Sequence, residues 1–578
     1  MNQINRIDCF DADALDADVA VVSAAATSWA HTTTAERIAI LDEIRDRTAA
    51  VADGWVGIAA RRKLLPAGSP LAGEEWLSGP YALISACNGL IETLSNLDGK
   101  RFLRRLRKRR TATGQLAVRV LPHTLWDRLL LSGVSAEIWM QPGVTSDNLA
   151  SHTASAYDAP AAGRTGRVGL VLGAGNIAAI APLDVLHMMF VEHRAVILKM
   201  NPVNDYLTEY LSNALRPLIV RDALRIVRGG ADVGAYLCAH PSISAIHITG
   251  AAASHDAIVW GAGAEGVANR AAGTPKLDKT ITSELGAVCP TIVVPGSWSR
   301  ADLAFQAEHI ATQKLHNSGF NCVACQMLVI SAPWTQKEAL LDRLRRVMAS
   351  LQGRPAYYPG AAARLSAFSD EAERIERVDF GTDGVCLLAP AQATTHGRMT
   401  QTEVFGPALS VHEIGEDDPA AFLAAAIDYA NTRLHGTLGA NILIHPATLR
   451  QIGQRRFEEL LGGLRYGAIA INAWSGLAFL NTACSWGAFP GHTLHDVGSG
   501  IGVVHNTWLF DRPERSVVRA PWRPFPRNLL SGELSLLPKP PWFVSHRTQH
   551  HMGRLLTRFQ HRPSLLKLPR IFLHALRG

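Results

Sequence analysis

The chain has 578 residues, of which 47% are hydrophobic and 19% are charged, and it carries a net charge of +7. This length exceeds what one hydrophobic core can organise, so we expect two or three domains. The composition is that of an ordinary globular protein and excludes a largely disordered chain.

The first predicted element is an amphipathic helix over residues 35–60, where apolar residues recur at helical spacing. Thr33 and Glu36 are spaced to form a capping box at its start. The region 100–160 is irregular, with a β-like stretch after a run of Lys and Arg at residues 100–110. We interpret that run as a solvated helix face or as a contact with anionic lipid or an acidic ligand.

From residue 167 onward, predicted strands alternate with predicted helices, which indicates parallel sheets covered by helices. The first run of strands comprises residues 168–172, 195–198, 224–227 and 243–248. The second run comprises residues 290–294, 326–331, 408–413, 437–444 and 466–472. The predicted helices of the second run are 302–316, 335–349, 418–430 and 446–460. Two runs of this kind predict two α/β domains.

The last segment, residues 523–578, breaks the alternation because it is rich in Pro, Arg, His and Trp. No acidic residue follows Glu533, so the segment is strongly basic. We predict an extended arm or tail that packs on its own protein. The alternatives are a segment that lies on a membrane surface and one that packs across a dimer.

The pattern of cysteines and the length of the apolar segments indicate the cellular location of the protein. The eight cysteines are scattered and show neither a disulfide framework nor a paired CxxC metal pattern. The N-terminus is polar and acidic, unlike a signal peptide, and the longest apolar stretch is too short to span a bilayer. We predict no metal site and a cytoplasmic location, with peripheral association at the inner face of the membrane left open.

Two residues carry the chemistry. Cys322 ends the string NSGFNC before an apolar strand, and Glu284 opens the string ELG before another strand. We predict that both lie on loops. A thiol of this kind can attack a carbonyl carbon, and a carboxylate can activate the water that releases the acyl group. The pair therefore predicts thiol acylation chemistry.

Four further short motifs occur in order along the chain. Asn176 follows the strand at 168–172, and Lys199 ends the next strand. Thr249-Gly250 follows the strand that ends at 248, and Glu403 and Phe405 lie in the string EVFGP. With Glu284 and Cys322 they resemble the aldehyde dehydrogenase superfamily over roughly residues 20–510. The resemblance implies oxidation of an aldehyde to a carboxylic acid with NAD or NADP.

The resemblance also implies roles at the matching positions. Cys322 is the expected nucleophile, which forms a thiohemiacetal and then a thioester. Asn176 and the backbone N–H of the cysteine would hold the oxyanion. Glu284 would be the general base for hydrolysis.

The other matching positions are expected to bind the coenzyme. Lys199 would contact the adenosine ribose. Thr249 and Gly250 would lie beside the pyrophosphate. Glu403 and Phe405 would position the nicotinamide ribose and ring.

The fold that the resemblance implies is two parallel-sheet, Rossmann-like α/β domains with a small β oligomerisation arm. We assign residues 1–125, 160–283 and 473–497 to the coenzyme-binding domain and 284–472 to the catalytic domain. We assign residues 126–159 and 498–522 to oligomerisation strands and 523–578 to a basic C-terminal tail. A homodimer or homotetramer is expected.

The sequence also departs from the family pattern. Many members have a lysine nine residues after the oxyanion Asn, where this chain has Val185. The second glycine of the family's GxxxxG string is His255 here. Three residues after Lys199 many NAD-preferring members have a glutamate, where this chain has Pro202, so NAD and NADP both remain open.

Three functions are compatible with these residues. The first is an aldehyde dehydrogenase. The second is a member that transfers acyl groups to or from coenzyme A, or a fatty acyl reductase, which the unusual string GAG before Asn176 leaves open. The third is a non-catalytic member of the fold. Nucleic acid is not an expected partner, because no aromatic interleaving accompanies the basic run.

Overall fold

The structure is a computed structural model that describes residues 10–390 and 397–578. Its strands are β1 (Arg107–Arg110), β2 (Leu116–Leu121), β3 (Ser135–Met140), β4 (Val168–Leu172), β5 (Ala195–Lys199), β6 (Leu224–Val227), β7 (Ile243–Gly250), β8 (Thr280–Leu285), β9 (Cys289–Val293), β10 (Cys325–Ser331), β11 (Glu376–Phe380), β12 (Gly384–Pro390), β13 (Ala408–Ile414), β14 (Gly439–Leu443), β15 (Ala468–Ile471), β16 (Gly500–Ile501) and β17 (Pro513–Arg519).

The α-helices are α1 (Ala12–Ala30), α2 (Thr34–Arg62), α3 (Ala72–Trp76), α4 (Ala82–Ser95), α5 (Leu125–Leu130), α6 (Ile180–Phe190), α7 (Thr208–Ala214), α8 (Arg216–Ile219), α9 (Ala231–Ala239), α10 (Ala252–Trp260), α11 (Gly263–Ala272), α12 (Arg300–Leu315), α13 (Lys337–Ala349), α14 (Ala361–Glu371), α15 (Arg398–Gln401), α16 (Pro419–Arg433), α17 (Pro446–Ile452), α18 (Gln454–Gly463), α19 (Gly476–Leu480), α20 (Gln549–His561) and α21 (Leu568–Ala575). Among the described residues, no helix is long and apolar enough to cross a bilayer.

The smaller sheet has six strands in the order β16-β8-β7-β4-β5-β6. Strands β4 to β8 pair in parallel, and their central members are continuous apolar runs because both faces are covered. The sheet therefore presents the carboxyl ends of β4, β5 and β7 at one edge, where ligands of open α/β sheets bind. The predicted first α/β unit is confirmed.

The larger sheet has eleven strands in the order β1-β2-β3-β17-β15-β14-β9-β10-β13-β12-β11. Its middle, from β15 to β12, is parallel, as predicted for the second α/β unit. The two predicted oligomerisation segments supply β3 and β17, and β17 pairs with β15 of the same chain. Their part in a homodimer or homotetramer stays a prediction.

Local sequence signals set two helix boundaries. The predicted capping box is present: the backbone N–H of Thr33 donates to Glu36 Oε2 at 2.8 Å, and the backbone N–H of Glu36 donates to Thr33 Oγ1 at 3.3 Å. The single helix predicted over 446–460 is wrong. It is divided into α17 and α18 at Gly453, whose φ of +83° cannot continue a right-handed helix.

Two predictions for the basic segments need correction. The run at 100–110 is not one helix face: its first residues belong to the short 3-10 helix Asp98–Arg104, and its last four form β1, an edge strand of the larger sheet, where Arg109 bridges Glu137 and Glu458. The tail is not extended, because α20 packs against α2, α3 and α4. An ion pair of 2.9 Å between Arg554 and Asp53 joins α20 to α2.

Candidate active site

A cavity of about 1120 Å³ begins at the carboxyl ends of β4, β5 and β7 and reaches the larger sheet. All eight residues that the sequence predicts for the site line it: Asn176, Lys199, Thr249, Gly250, Glu284, Cys322, Glu403 and Phe405. The structure therefore brings together residues that are up to 229 positions apart in the sequence, from Asn176 to Phe405. Their individual roles remain predictions.

Cys322 follows a strained loop between α12 and β10. Asn317, Ser318 and Gly319 have φ angles of 53°, 55° and 80°. Left-handed conformations are costly for residues with a side chain and persist only where the surroundings enforce them. A Cβ at Gly319 would also collide with the backbone of Gly406, so glycine is required there. The loop fixes the direction in which the thiol points.

Asn317 is the residue that holds this loop. Its backbone N–H donates to Glu74 Oε2 at 2.9 Å, and its side-chain amide donates to the carbonyl of Asn176 at 3.2 Å. Its side-chain oxygen accepts from Lys63 Nζ at 3.2 Å and from the Tyr357 hydroxyl at 3.0 Å. The thiol loop and the turn after β4 are therefore fixed to each other.

Two buried ion pairs lie behind the loop, and the sequence analysis did not identify them. Lys63 pairs with Glu75 at 2.8 Å, and Arg354 pairs with Glu74 at 2.7 Å, with every side chain at most 6% exposed. The available signal was two adjacent acids in the otherwise apolar stretch 71–77. Because buried charges are retained only when paired, such acids indicate distant cationic partners.

Asn176 occupies the turn that follows β4. Its side-chain amide donates to the carbonyl of Phe320 at 3.0 Å, and its own carbonyl accepts from Lys63 Nζ at 2.9 Å. An asparagine amide has a second N–H, and Asn176 lines the cavity beside Cys322. The role of Asn176 as an oxyanion donor stays a prediction.

The sequence analysis predicted that Glu284 lies on a loop. This prediction is wrong, because Glu284 lies within β8. The Cys322 thiol donates to Glu284 Oε1 at 3.3 Å. Burial raises the pKa of Glu284 to about 7, and the Cys322 side chain opposes part of that rise. Burial, together with the neighbouring Glu284 and Glu403 carboxylates, raises the pKa of the Cys322 thiol well above its usual range. The thiol is therefore protonated at neutral pH and directed at the Glu284 carboxyl group.

Glu403 and Phe405 line the same cavity as Glu284. The Glu403 carboxylate lies where a Cβ of Gly286 would be, which explains the glycine of the string ELG. Burial raises the pKa of Glu403 to about 8, and its Oε1 atom has no hydrogen-bond partner among the described residues. The Phe405 ring packs edge-on against Tyr358, with 5.0 Å between ring centres.

The remaining predicted residues line the outer half of the cavity. Lys199 ends β5 and is largely buried, and that burial lowers its pKa. Gly250 lies just before α10, whose N-terminus has no side-chain cap, and a Cβ at this position would make an ordinary contact with Ile248. Thr249 lines the cavity, but its hydroxyl donates to Asp184 Oδ2 at 3.0 Å.

A second, apolar chamber touches Cys322 from the other side. Its volume is about 30 Å³. Its apolar lining comprises Ile177, Ile180, Val323, Trp474, Phe479, Leu480 and Trp486. The thiol therefore stands between a large cavity with polar groups and a small apolar chamber. The sequence analysis predicted none of these chamber residues, because they come from four separate segments.

Comparisons with known proteins agree with this geometry. A model of the aldehyde dehydrogenase family matches residues 183–377. Aminoacetaldehyde dehydrogenase of Pseudomonas aeruginosa is 27% identical over 213 residues, which is 34% of this chain and 40% of that protein. N-succinylglutamate 5-semialdehyde dehydrogenase of Sphingopyxis alaskensis is 26% identical over 306 residues, which is 47% of this chain and 58% of that protein.

The fold is shared more widely. The structure of an NADP-dependent glyceraldehyde-3-phosphate dehydrogenase from Bacillus halodurans C-125, complexed with NADP, is similar with a TM-score of 0.56. That similarity covers 88% of this chain and 91% of the other at 17% identity. The two-sheet α/β architecture is shared with solved aldehyde dehydrogenase structures, and residues 183–377 match the model of the aldehyde dehydrogenase family. The matched segments span 40% and 58% of the two curated relatives.

Proposed function

We propose that the protein is an NAD(P)-dependent dehydrogenase that oxidises an aldehyde to its carboxylic acid. The observation that supports this most directly is the 3.3 Å hydrogen bond from the Cys322 thiol to Glu284 Oε1 at the junction of the two cavities. A nucleophile and a base within contact distance form the minimal unit of covalent acyl chemistry.

The residues present fit a nicotinamide dinucleotide. Lys199 would bind the adenosine ribose, and the uncapped N-terminus of α10 would favour the pyrophosphate. The buried, unpartnered Oε1 of Glu403 would accept from a ribose hydroxyl, with Phe405 against the ring. When bound, the coenzyme accepts the hydride of the aldehyde. NAD and NADP both remain possible, because position 202 itself is a proline and not an acidic residue.

The chain's own residues supply the other steps. Glu284 takes the proton of Cys322 as the sulfur attacks the carbonyl carbon of the aldehyde. The second N–H of Asn176 and the backbone N–H of Cys322 would stabilise the oxyanion of the thiohemiacetal. After oxidation to the thioester, Glu284 withdraws a proton from water, and the resulting attack breaks the C–S bond.

The apolar chamber narrows the substrate class. Its volume of about 30 Å³ holds roughly two water-sized groups. Because its wall offers indole and aliphatic surface close to the thiol, we propose a small apolar group on the aldehyde carbon. A charged substituent would lose its hydration in this chamber without gaining a counter-ion.

The test is reduction of NAD and of NADP with a panel of aldehydes. We expect turnover with short aliphatic aldehydes, less with carboxylated semialdehydes, and none in Cys322→Ala, which should still bind coenzyme. Cys325→Ala, a buried thiol three residues further on, is the matched control and should retain turnover. Turnover in Cys322→Ala would contradict the mechanism. Turnover that requires coenzyme A would favour the acylating alternative, and coenzyme binding without turnover would favour the non-catalytic one.

We also propose peripheral contact with an anionic membrane through the basic tail. Leu534 and Leu566 are 93% and 91% exposed. Both lie in segments that adjoin α5: the Ser535 hydroxyl donates to the carbonyl of Ser132, and Trp126 packs against the α20–α21 cluster.

The charges around these leucines favour lipid as the occupant. Arg527 and Arg570 are exposed and form no ion pair with any residue that the structure describes. Leucines interleaved with free cations suit the interface of an anionic bilayer, where each cation contributes about 1 kcal/mol.

Sedimentation with phosphatidylserine vesicles tests this contact. We expect binding at low salt, release as salt rises, and weaker binding by the double variant Leu534→Ser, Leu566→Ser. Val267→Ser changes an exposed apolar residue on α11 and should bind as the wild type does. Equal binding to phosphatidylcholine vesicles, or no binding at low salt, would contradict the proposal.

A further inference from the structure

A separate cavity of about 590 Å³ lies at the edge of the larger sheet. Residues of β1, β2, β3, β17 and the first turns of α18 line it, and it shares no described lining residue with the cavity at Cys322. Its charged lining residues are Arg109, Arg110, Arg119, Arg455, Arg519, Glu137 and Glu458. We call it the arginine cavity.

Strand pairing places the central charges of the arginine cavity on one face of the sheet. Arg119 of β2 is opposite Glu137 of β3, and Arg519 of β17 is opposite Ser135 of β3. Because alternate residues of a strand share a face, Ser135 and Glu137 bring Arg519 and Arg119 to the same side. Arg109 of β1 reaches Glu137 on that side. Three arginines from three strands therefore converge on one surface.

The two glutamates of the cavity are already engaged. Arg109 donates through Nε to Glu137 Oε1 at 2.9 Å and through Nη2 to Glu458 Oε1 at 2.5 Å. Glu458 Oε2 accepts from the backbone N–H of Ala112 at 2.7 Å. Arg119 is 3.6 Å from Glu137 Oε1, which exceeds hydrogen-bond range. Apart from Arg455, which pairs with Glu459, four arginines of the lining face two glutamates, so positive charge is in excess.

Arg519 is the least satisfied of these arginines. It is half-buried, and its guanidinium packs over the Phe457 ring at 5.7 Å. It forms no hydrogen bond with any residue that the structure describes. Burial lowers the pKa of Arg519, and the nearby Arg109 and Arg119 lower it further, although the two glutamates of the cavity oppose this shift. A guanidinium has five N–H donors, so this position is costly without an added acceptor.

The start of α18 adds positive potential instead of offsetting it. The helix begins at Gln454 with neither a side-chain cap nor an acidic residue in its first turn. Arg455 and Arg456 occupy that turn, although the N-terminus of a helix favours negative charge. Gln454 and Arg455 line the arginine cavity. The uncapped backbone N–H groups of a helix start and the arginines of the sheet are therefore neighbours, an arrangement that suits a bound anion.

We propose that the arginine cavity binds a small soluble anion that carries two or more phosphate groups. Guanidinium groups bind phosphate oxygens in pairs, and helix N-termini bind phosphate through backbone N–H groups. Arg119 and Arg519 lie two strands apart, which is about 10 Å at the backbone. An anion with several phosphate groups spans that distance better than a single phosphate does. The inference does not depend on the proposed function.

Calorimetric titration with inorganic tripolyphosphate at low salt tests this site. We expect one anion bound per chain, with weaker binding as salt rises. The double variant Arg119→Gln, Arg519→Gln should bind about tenfold more weakly or worse, since it loses charge-assisted hydrogen bonds. The matched control is Arg343→Gln, Arg346→Gln, which removes the same charge from exposed positions of α13 and should bind as the wild type does.

A second variant guards against a loss of binding that only reflects misfolding. Ser135→Glu introduces a carboxylate opposite Arg519. It should raise the midpoint of thermal unfolding in the absence of anion, because it supplies the missing acceptor, and it should weaken tripolyphosphate binding. Tripolyphosphate should raise the midpoint of the wild type, as a ligand of the folded state does, and have little effect on this variant.

Three results would overturn the proposal. Equal binding by the wild type and the Arg119→Gln, Arg519→Gln variant, or equal weakening in the α13 control, would mean diffuse attraction to a basic protein. Citrate that binds as tightly as tripolyphosphate would refute the preference for phosphate. Binding to vesicles that contain phosphatidic acid, without binding of tripolyphosphate, would assign the cavity to a lipid headgroup and not to a soluble anion.

Discussion

The buried carboxyl group of Glu284 should make the protein less stable at neutral than at mildly acidic pH. Burial raises its pKa from 4.5 to about 7. The folded state therefore holds this proton more tightly than the unfolded state does, and the free energy of unfolding falls as pH rises from about 4.5 to about 7. At about 1.4 kcal/mol per pKa unit, the loss approaches roughly 3 kcal/mol.

Glu284→Gln isolates this contribution, because glutamine has the same size and cannot ionise. Urea unfolding of the wild type and the variant, measured from pH 5 to pH 8, gives the difference in free energy of unfolding at each pH. We expect the variant to gain stability relative to the wild type as pH rises, by about 3 kcal/mol in total. Glu338→Gln, at an exposed glutamate, should show no such trend. A difference independent of pH would refute the raised pKa.

The pKa of Glu284 also determines the pH range in which the proposed hydrolysis can occur. Glu284 must be ionised to withdraw a proton from water, so the ionised fraction should rise about tenfold between pH 6 and pH 8. Steady turnover that rises with a midpoint near 7 would agree with a pKa of about 7. A midpoint near 4.5 would mean that the carboxyl group is hydrated during turnover.

Two further substitutions test the site and its support. Asn176→Ala should slow the first coenzyme reduction by about 10² to 10³, the usual cost of one oxyanion donor. An unchanged rate in rapid mixing would remove Asn176 from the oxyanion site. Glu74→Ala leaves Arg354 buried and unpaired, so it should lower the free energy of unfolding by about 3 to 5 kcal/mol in urea. A loss below about 1 kcal/mol would show that water reaches the guanidinium.

Local sequence patterns were sufficient to predict the parallel strands of both sheets and the eight site residues that line the large cavity. Continuous apolar runs such as 168–172 predict buried parallel strands, because both faces of such a strand are covered. Cys322 and Glu284 were recognisable because glycine-containing strings next to strands place reactive groups at sheet edges. The sequence nevertheless placed Glu284 on a loop, since the short string that contains it does not show that β8 pairs with β16.

Contacts between distant segments could not be predicted in this way. Glu74 and Arg354 are 280 residues apart, and neither position has a local pattern that identifies the other. The tail was predicted to be extended because its Pro and Arg content resembles that of an exposed arm. The apolar faces of α20 and α21 are covered by α2, α3, α4 and α5, which come from the first quarter of the sequence.

The protonation states of Cys322 and Glu284 set the order of the proton transfers in the proposed mechanism. Glu284 must accept a proton twice in each cycle, once from Cys322 and once from water. A thiol whose pKa is raised by neighbouring carboxylates gives up its proton only if carbon–sulfur bond formation accompanies the transfer. Glu284 is then protonated in a buried position at the wall of the large cavity. Unless Glu284 loses that proton, water cannot be activated and the thioester persists.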